Sequence, residues 1–439
     1  MLARTAKQHV SALSWKALTP QARTSRLATS ADTPANLPLS GVRVLELGQL
    51  IAGPFAGQLL GHFGAEVIKV EPPNTGDPLR VWRELDVDGT SPWFRSLGRN
   101  KKSVTIDLRK DEGRALVKKL ALESDVVLEN FKPGTLEKWG LGPADLQPLN
   151  PSLIFTRVSG YGQTGPWAKR PGYASVCEAE SGFRYINGFP DPATGGLAGP
   201  PVRPNLSLGD SVAGLHAAFG TVLALLARRV KQDNGLAGGS TVDRLMAIPA
   251  PGPKPVRLFS HRHRATNAYP CLPSPATPTT PTPSGGPDLI GADYKQNPER
   301  VARQAEIEQA IGAWTSARSA EEVLETLNEI GVPVGRVVSV REIVEGEQVK
   351  ARGLVEDVWV PAGASMKKKE AVGEGKEIEE DGWMVKMPKV APLLEGCDAC
   401  TRWAGPDLGQ HNEEVFMGQL GLSDEEMKNL VERGIIGGR

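Results

Sequence analysis

The sequence predicts an α/β fold, with a doubly wound parallel sheet in the first half of the chain. Three observations carry the prediction. Short apolar runs of β type alternate with segments of helical periodicity, strand, helix and strand fit within about thirty residues, and a glycine-rich turn joins the first run to the first helix. Val42 to Leu47 reads as the first strand, Phe55 to Phe63 as a helix and Ala65 to Val70 as the second strand. Ser103 to Leu108, Asp125 to Leu128 and Leu153 to Val158 read as further strands, with Glu112 to Leu122 as a helix between them. Strands that alternate with helices pair in parallel, because each crossover lays a helix on a face of the sheet. Further on, Pro298 to Thr315 and Glu321 to Ile330 read as helices and Val332 to Val340 as a strand, which together start a smaller α/β domain.

Lysine and arginine number 51, aspartate and glutamate 51, so no net charge favours nucleic acid or an anionic membrane, and any polyanion has to be met locally. Four cysteines in 439 residues cannot form a disulfide framework. The longest apolar run, Val212 to Ala227, is interrupted by His216 and ends at Arg228 and Arg229, so it reads as a core helix, not a membrane span. The first 30 residues hold Arg4, Lys7, Lys16, Arg23 and Arg26 with no acid, the composition of a mitochondrial transit peptide, and residues 1–36 are expected to be removed on import. Between Lys231 and Gly291 the order breaks: Pro251 to Pro255 and Pro273 to Pro287 are rich in proline and threonine and offer few backbone donors.

The turn Gly48 to Pro54 lacks the G-x-G-x-x-G pattern, and no Walker, H-E-x-x-H or G-x-S-x-G motif is present. Cys397 and Cys400 form a lone CxxC, read as two ordinary thiols, and the six histidines are scattered, so no metal site is expected.

Several stretches, in their order and spacing, resemble the family III CoA-transferases, the CaiB/BaiF group that includes formyl-CoA transferase and succinate-hydroxymethylglutarate CoA-transferase. They are Leu37 to Glu46, Ala52-Gly53-Pro54, Gly64 to Pro72, Gly76-Asp77, Asn100 to Ser103, Asp125 to Gly134, Ser159 to Gly162, Arg170 to Tyr173 and Gly405 to His411. The resemblance implies a Rossmann-type large domain over residues 37–230, a small domain over 291–375 and a C-terminal segment, 376–439, that returns to the large domain. It also implies a homodimer of interlocked chains that binds coenzyme A as substrate, without another cofactor. In the family, a carboxylate attacks an acyl-CoA thioester to give a mixed anhydride, the released thiolate makes an enzyme thioester, and an acceptor acid takes the CoA. The mitochondrial members suggest a dicarboxylic acid such as succinate. The contacts to CoA carry over to Ile51, Pro72, Ile106, Arg109, Asn130, Phe131 and Lys138, with Arg109 and Lys138 answering the phosphates.

Two departures stand out. The family's nucleophilic aspartate follows Gly-Tyr, and here Ala174 follows Gly172-Tyr173. Glu178 lies one helical turn beyond Ala174, so it is the candidate catalytic carboxylate, whereas Glu180 faces elsewhere and Asp210 reads as a helix N-cap. Secondly, residues 231–290 stand where the family has a helical crossover and a glycine-rich covering loop, which points to a deleted or wrongly spliced segment. Two rivals stay open: a CoA-binding paralogue or isoform without full activity, and an α-methylacyl-CoA racemase, although the Gly-His-Asp of that branch is absent.

Overall fold

The computed structural model describes residues 36–184, 187–188, 191, 198–200, 202–233, 300, 303–362 and 382–437. The expected transit segment up to residue 35 and the stretches Pro251 to Pro255 and Pro273 to Pro287 lie outside the described residues.

Each apolar run of the first half becomes a strand. They are β1 (Arg43–Glu46), β2 (Glu66–Glu71), β3 (Lys101–Thr105), β4 (Val126–Glu129) and β5 (Ile154–Arg157), all parallel, in the order β3-β2-β1-β4-β5. The chain winds outward through β2 and β3, then crosses back to lay β4 on the other side of β1. The β1/β4 seam is therefore the point where the winding reverses, and open parallel sheets bind ligands at the carboxyl end of that seam.

Helix α1 (Ala52–His62) links β1 to β2 and α2 (Pro92–Leu97) precedes β3; α3 (Asp111–Leu122) links β3 to β4. Two short helices, α4 (Thr135–Lys138) and α5 (Pro143–Leu146), lead to β5, and α6 (Ala174–Glu180) and α7 (Leu208–Asp233) follow it. One sheet face packs Leu45, Ile68, Val104 and Val127 against α3 and the C-terminal residues Phe416, Ile435 and Ile436. The other packs Val44, Val67, Val126 and Ile154 against α1 and α7.

Helix α7 departs from a core helix. Ala217, Ala218, Thr221 and Ala224 face the protein, while Leu215, Phe219, Leu223 and Leu226 are each about half exposed. Small side chains on the inner face let it approach α1: a Cβ on Gly214 would lie 2.6 Å from the Ala52 carbonyl oxygen. The large apolar groups are left to the outer face. The helix is long and apolar enough to cross a membrane, with a third of its apolar window buried.

The C-terminal segment covers the β3 edge. Asn412 accepts from Thr105 N at 2.9 Å and donates to Thr105 Oγ1 at 2.9 Å, and His411 N donates to Ser103 O, so the edge strand's ladder is completed. An antiparallel pair, β6 (Val355–Pro361) with β7 (Gly382–Pro388), docks by Trp383 on Asp86 and by Arg99 on Glu356. Helices Gln304–Ser316 and Ala320–Glu329 form as expected, but residues 332–339 are not a strand. Val337 and Val338 are exposed there and no strand pairs with them among the described residues, and Val340 already opens a helix, capped by Ser339. Without a neighbour to complete the ladder, an apolar alternation does not make a strand.

Candidate active site

At the carboxyl end of β1 the chain turns through Gly48, Gln49 and Leu50. Gln49 N donates to Asn130 Oδ1 at 2.8 Å, and Asn130 Nδ2 donates to Gln49 O at 2.8 Å, which clamps the turn to the end of β4 across the seam. A Cβ on Gly48 would come within 3.1 Å of Asn130 Oδ1, so glycine is needed for the clamp to close. Leu50 adopts φ +64°, and its amide donates to both oxygens of Asp77 at 3.0 and 3.1 Å. That left-handed turn is held from below.

What holds it is a buried charge cluster. Lys69 Nζ donates to Gly48 O at 2.8 Å and to Glu46 at 3.1 Å, and pairs with Asp77 at 2.8 Å. Lys101 Nζ reaches both Glu46 oxygens, at 3.0 and 2.8 Å, and Pro54 O at 2.7 Å. Burial pushes the Lys101 ammonium down to about 8 against the pull of Glu46. For Lys69 the burial cost is outweighed by Asp77, Glu46 and Glu71, and its ammonium is held well above the ordinary lysine range. Burial opposes ionisation of Glu71, yet Arg80 prevails and brings it down to about 2. In the sequence, the only signal for this cluster is a charged residue within each apolar strand run, Glu46 in β1 and Lys69 in β2.

Of the expected CoA contacts, Ile51, Pro72, Ile106, Asn130 and Phe131 follow the carboxyl ends of β1 to β4. Ile51 precedes α1 and packs with Leu79 and Phe94, Pro72 follows β2 half-buried, and Phe131 sits edge-on to Trp139. The Phe131 amide donates to Glu129, which Arg157 also holds, so the Glu129-Asn130-Phe131 corner is rigid. Arg109 is largely exposed and paired with Asp107, and Lys138 is exposed at the end of α4. Ile106 is 1% exposed, inside the core; only its main chain remains for a ligand, and its amide is taken by Glu71 O.

Beyond β5, Gly160 and Gly172 meet so closely that a Cβ on Gly160 would lie 2.9 Å from Gly172 O, and Cys177 Sγ donates to Gly160 O at 3.3 Å. These contacts seat α6 on the strand exit. Ala174 and Glu178 share one face of α6, since a Cβ on Gly209 would lie 3.1 Å from Ala174 Cβ and 3.3 Å from Glu178 Oε1. Glu178 is 6% exposed; Oε1 accepts from Gly209 N at 3.2 Å, and Oε2 has no hydrogen-bond partner. Arg203 and Arg184 stand 3.5 and 3.8 Å from Oε2. Glu180 instead bonds the Tyr161 hydroxyl and pushes it up to about 12. Asp210 is not an N-cap, because α7 starts at Leu208 and Asp210 lies in its first turn. Burial, and then the Glu178 charge, push the Asp210 carboxyl up to about 6, with Arg203 pulling the other way.

No cluster of metal-ligating side chains occurs among the described residues. A cavity of about 170 Å³ lies elsewhere, between Arg95, Lys102, Trp403 and His411. Its cations are spoken for, Arg95 by Asp88 and Asp407 and Lys102 by Glu66 and Glu414, so it is a seam between the C-terminal segment and β3 and not a site.

The family model for CoA-transferase family III matches residues 39–250 and 284–412, and the break falls in the Pro-rich stretch. The chain is 39% identical to the succinyl-CoA--D-citramalate CoA-transferase of Chloroflexus aurantiacus, over 91% of this chain and 98% of that one. It is 31% identical to the mouse succinyl-CoA:glutarate CoA-transferase, over 92% of each. Among solved structures, a CaiB/BaiF family protein from Brucella suis superposes with a TM-score of 0.65 at 27% identity, covering 87% of this chain and 98% of that one. The seam at β1/β4, the motifs along it and these likenesses agree: the chain belongs to CoA-transferase family III and is an enzyme of acyl-CoA:carboxylate CoA transfer.

Proposed function

We propose that the chain moves CoA from succinyl-CoA to a small dicarboxylic acid, with Glu178 as the attacking carboxylate. One observation carries the assignment: Glu178 is a buried carboxylate with one oxygen free of hydrogen bonds, on the helix face where Ala174 stands in place of the family's aspartate. Glu178 attacks the thioester carbonyl, the C–S bond breaks, and an anhydride and the CoA thiolate form. The thiolate then attacks the Glu178 carbonyl, which releases the donor acid and leaves a glutamyl thioester. The acceptor carboxylate repeats both steps in reverse order. Water would hydrolyse both intermediates, so a dry pocket matters. The relatives named for citramalate, malate and glutarate support a four- or five-carbon diacid as acceptor.

In this reading the CoA nucleotide lies along Ile51, Pro72, Asn130 and Phe131, with the Ile106 main chain beside it and Arg109 and Lys138 at its phosphates; the family resemblance of these positions supports it. The exposed apolar face of α7 supports a second copy as its cover, hence a homodimer. The acid-free, arginine-bearing N-terminus supports a mitochondrial location. The test is CoA exchange from succinyl-CoA into citramalate, malate and glutarate, with hydroxylamine trapping of the glutamyl intermediate in the parent and in Glu178→Gln. Exchange in the parent and its loss in Glu178→Gln are expected. Full exchange in Glu178→Gln overturns the assignment, and no exchange in the parent, with CoA still bound, favours a CoA-binding protein without transfer activity.

A further inference from the structure

Among the described residues, the ion pairs around Glu178 are longer than those of the other buried carboxylates. Arg80 holds Glu71 and Arg157 holds Glu129 at 2.7 Å, the contact of a charge-assisted hydrogen bond. Arg203 Nε and Arg184 Nη2 stand 3.5 and 3.8 Å from Glu178 Oε2, too far for such a bond. Oε2 is left without a hydrogen bond, and so is the buried Nε of Arg184. Two cations thus face one buried carboxylate without a hydrogen bond to its Oε2.

The two guanidiniums come from opposite sides. Arg184 follows α6, and Arg203 precedes α7. Asp210 lies near the same group; burial, and then the Glu178 charge, favour its protonated form, and the second effect ends when Glu178 becomes neutral, so Asp210 can answer one of the two cations but not both.

We propose that Arg184 and Arg203 are the specificity-determining pair of this site, receiving the distal carboxylate of a dicarboxylic substrate once Glu178 is acylated. The inference rests on Glu178 being the attacking group and adds to it the residues that read the substrate. It follows from the charge balance. Anhydride or thioester formation moves the negative charge from Glu178 to the departing thiolate or acid, and Glu178 becomes neutral. Both guanidiniums then lose this partner: Arg184, only 26% exposed and with a buried Nε that makes no hydrogen bond, is the less solvated of the two, whereas Arg203 is 44% exposed, and together they outweigh the carboxylate left beside them, Asp210. A diacid brings a second carboxylate that replaces the lost charge at the step where it is lost. A monoacid brings none, so the pocket rejects it by what it leaves unpaired.

Glu178→Gln copies the neutral, acylated state, which permits a test without turnover. Calorimetric titration of the full chain with glutarate, and with butyrate as the monoacid, is made for the parent, Glu178→Gln and Glu178→Gln/Arg203→Gln. Glutarate should bind Glu178→Gln about tenfold or more tightly than the parent, the gain should vanish in the double variant, and butyrate should show no gain. In the otherwise native enzyme, Arg203→Gln and Arg184→Gln should each lower the glutarate-to-butyrate ratio of kcat/KM by about tenfold or more, chiefly through the KM for glutarate, with Arg203→Lys in between. Equal binding of glutarate by the parent and Glu178→Gln, or an equal loss for both acids in the arginine variants, overturns the proposal. Retained exchange in Glu178→Gln overturns the nucleophile assignment instead, and the two failures are read from different experiments.

Discussion

Gln49 and Asn130 exchange a reciprocal pair of hydrogen bonds, both 2.8 Å, across the seam where the sheet reverses its winding. The Asn130 side chain thus does the work of a backbone ladder at a place where β1 and β4 have ended. It needs an acceptor and a donor at once. Asn130→Asp removes the donor and sets a carboxylate against Gln49 O, so CoA affinity should fall about tenfold while global stability drops by only about 1 to 2 kcal/mol. Fluorescence titration with CoA and a urea melt check this; unchanged affinity would remove the turn from the CoA site.

The Glu46 cluster is a packing constraint as well as an electrostatic one. A Cβ on Gly57 would lie 1.8 Å from Glu46 Oε2, and Glu46 is already shared by Lys69 and Lys101. Gly57→Ala has to displace a buried carboxylate from two buried cations, and should cost about 3 kcal/mol or more. A urea midpoint near that of the parent would show that the cluster yields easily.

Asp210 gives stability a pH dependence of known sign. Its carboxyl titrates near 3.8 when unfolded and at about 6 in the fold, so the folded state binds the proton more tightly. Its contribution is full below about pH 4, falls between about pH 4 and 6, and is gone above that; partial solvent contact limits it to about 2 kcal/mol. Asp210→Asn keeps the shape and should flatten this part of the curve, so the variant gains on the parent as pH rises from 4 to 7. Parallel curves over that range would refute the assignment.

The strands were legible because their apolar runs are short, both-sided and punctuated: Val42 to Leu47 contains β1 with one residue to spare at each end, and Ala65 to Val70 is offset from β2 by one residue. Residues 332–340 show the limit of that signal, since β structure depends on a partner strand and the valines have none among the described residues. That Glu178 shares a helix face with Ala174 was legible from helical spacing alone. Arg184 and Arg203 were not, because they reach it from segments whose path depends on how α6 and α7 meet at Gly209, a long-range contact that no local spacing encodes. Asp210 was misread for a smaller reason: α7 starts at Leu208, three residues before Ser211.

The outer face of α7 supplies the last prediction. Leu215, Phe219, Leu223 and Leu226 are each about half exposed and recur at helical spacing, so they form one continuous apolar stripe. A stripe of that length on a chain with no net charge is poorly soluble unless something covers it. A second copy satisfies this without another component, and the inner face, with Thr221 bonded to Thr156 at 2.7 Å, keeps the helix in place whether or not the outer face is covered. Phe219→Glu with Leu226→Glu should therefore halve the mass measured by light scattering and leave the far-UV circular dichroism unchanged. A parent that is monomeric at micromolar concentration, or a double variant that keeps the parent's mass, would show that the stripe does not hold two chains together.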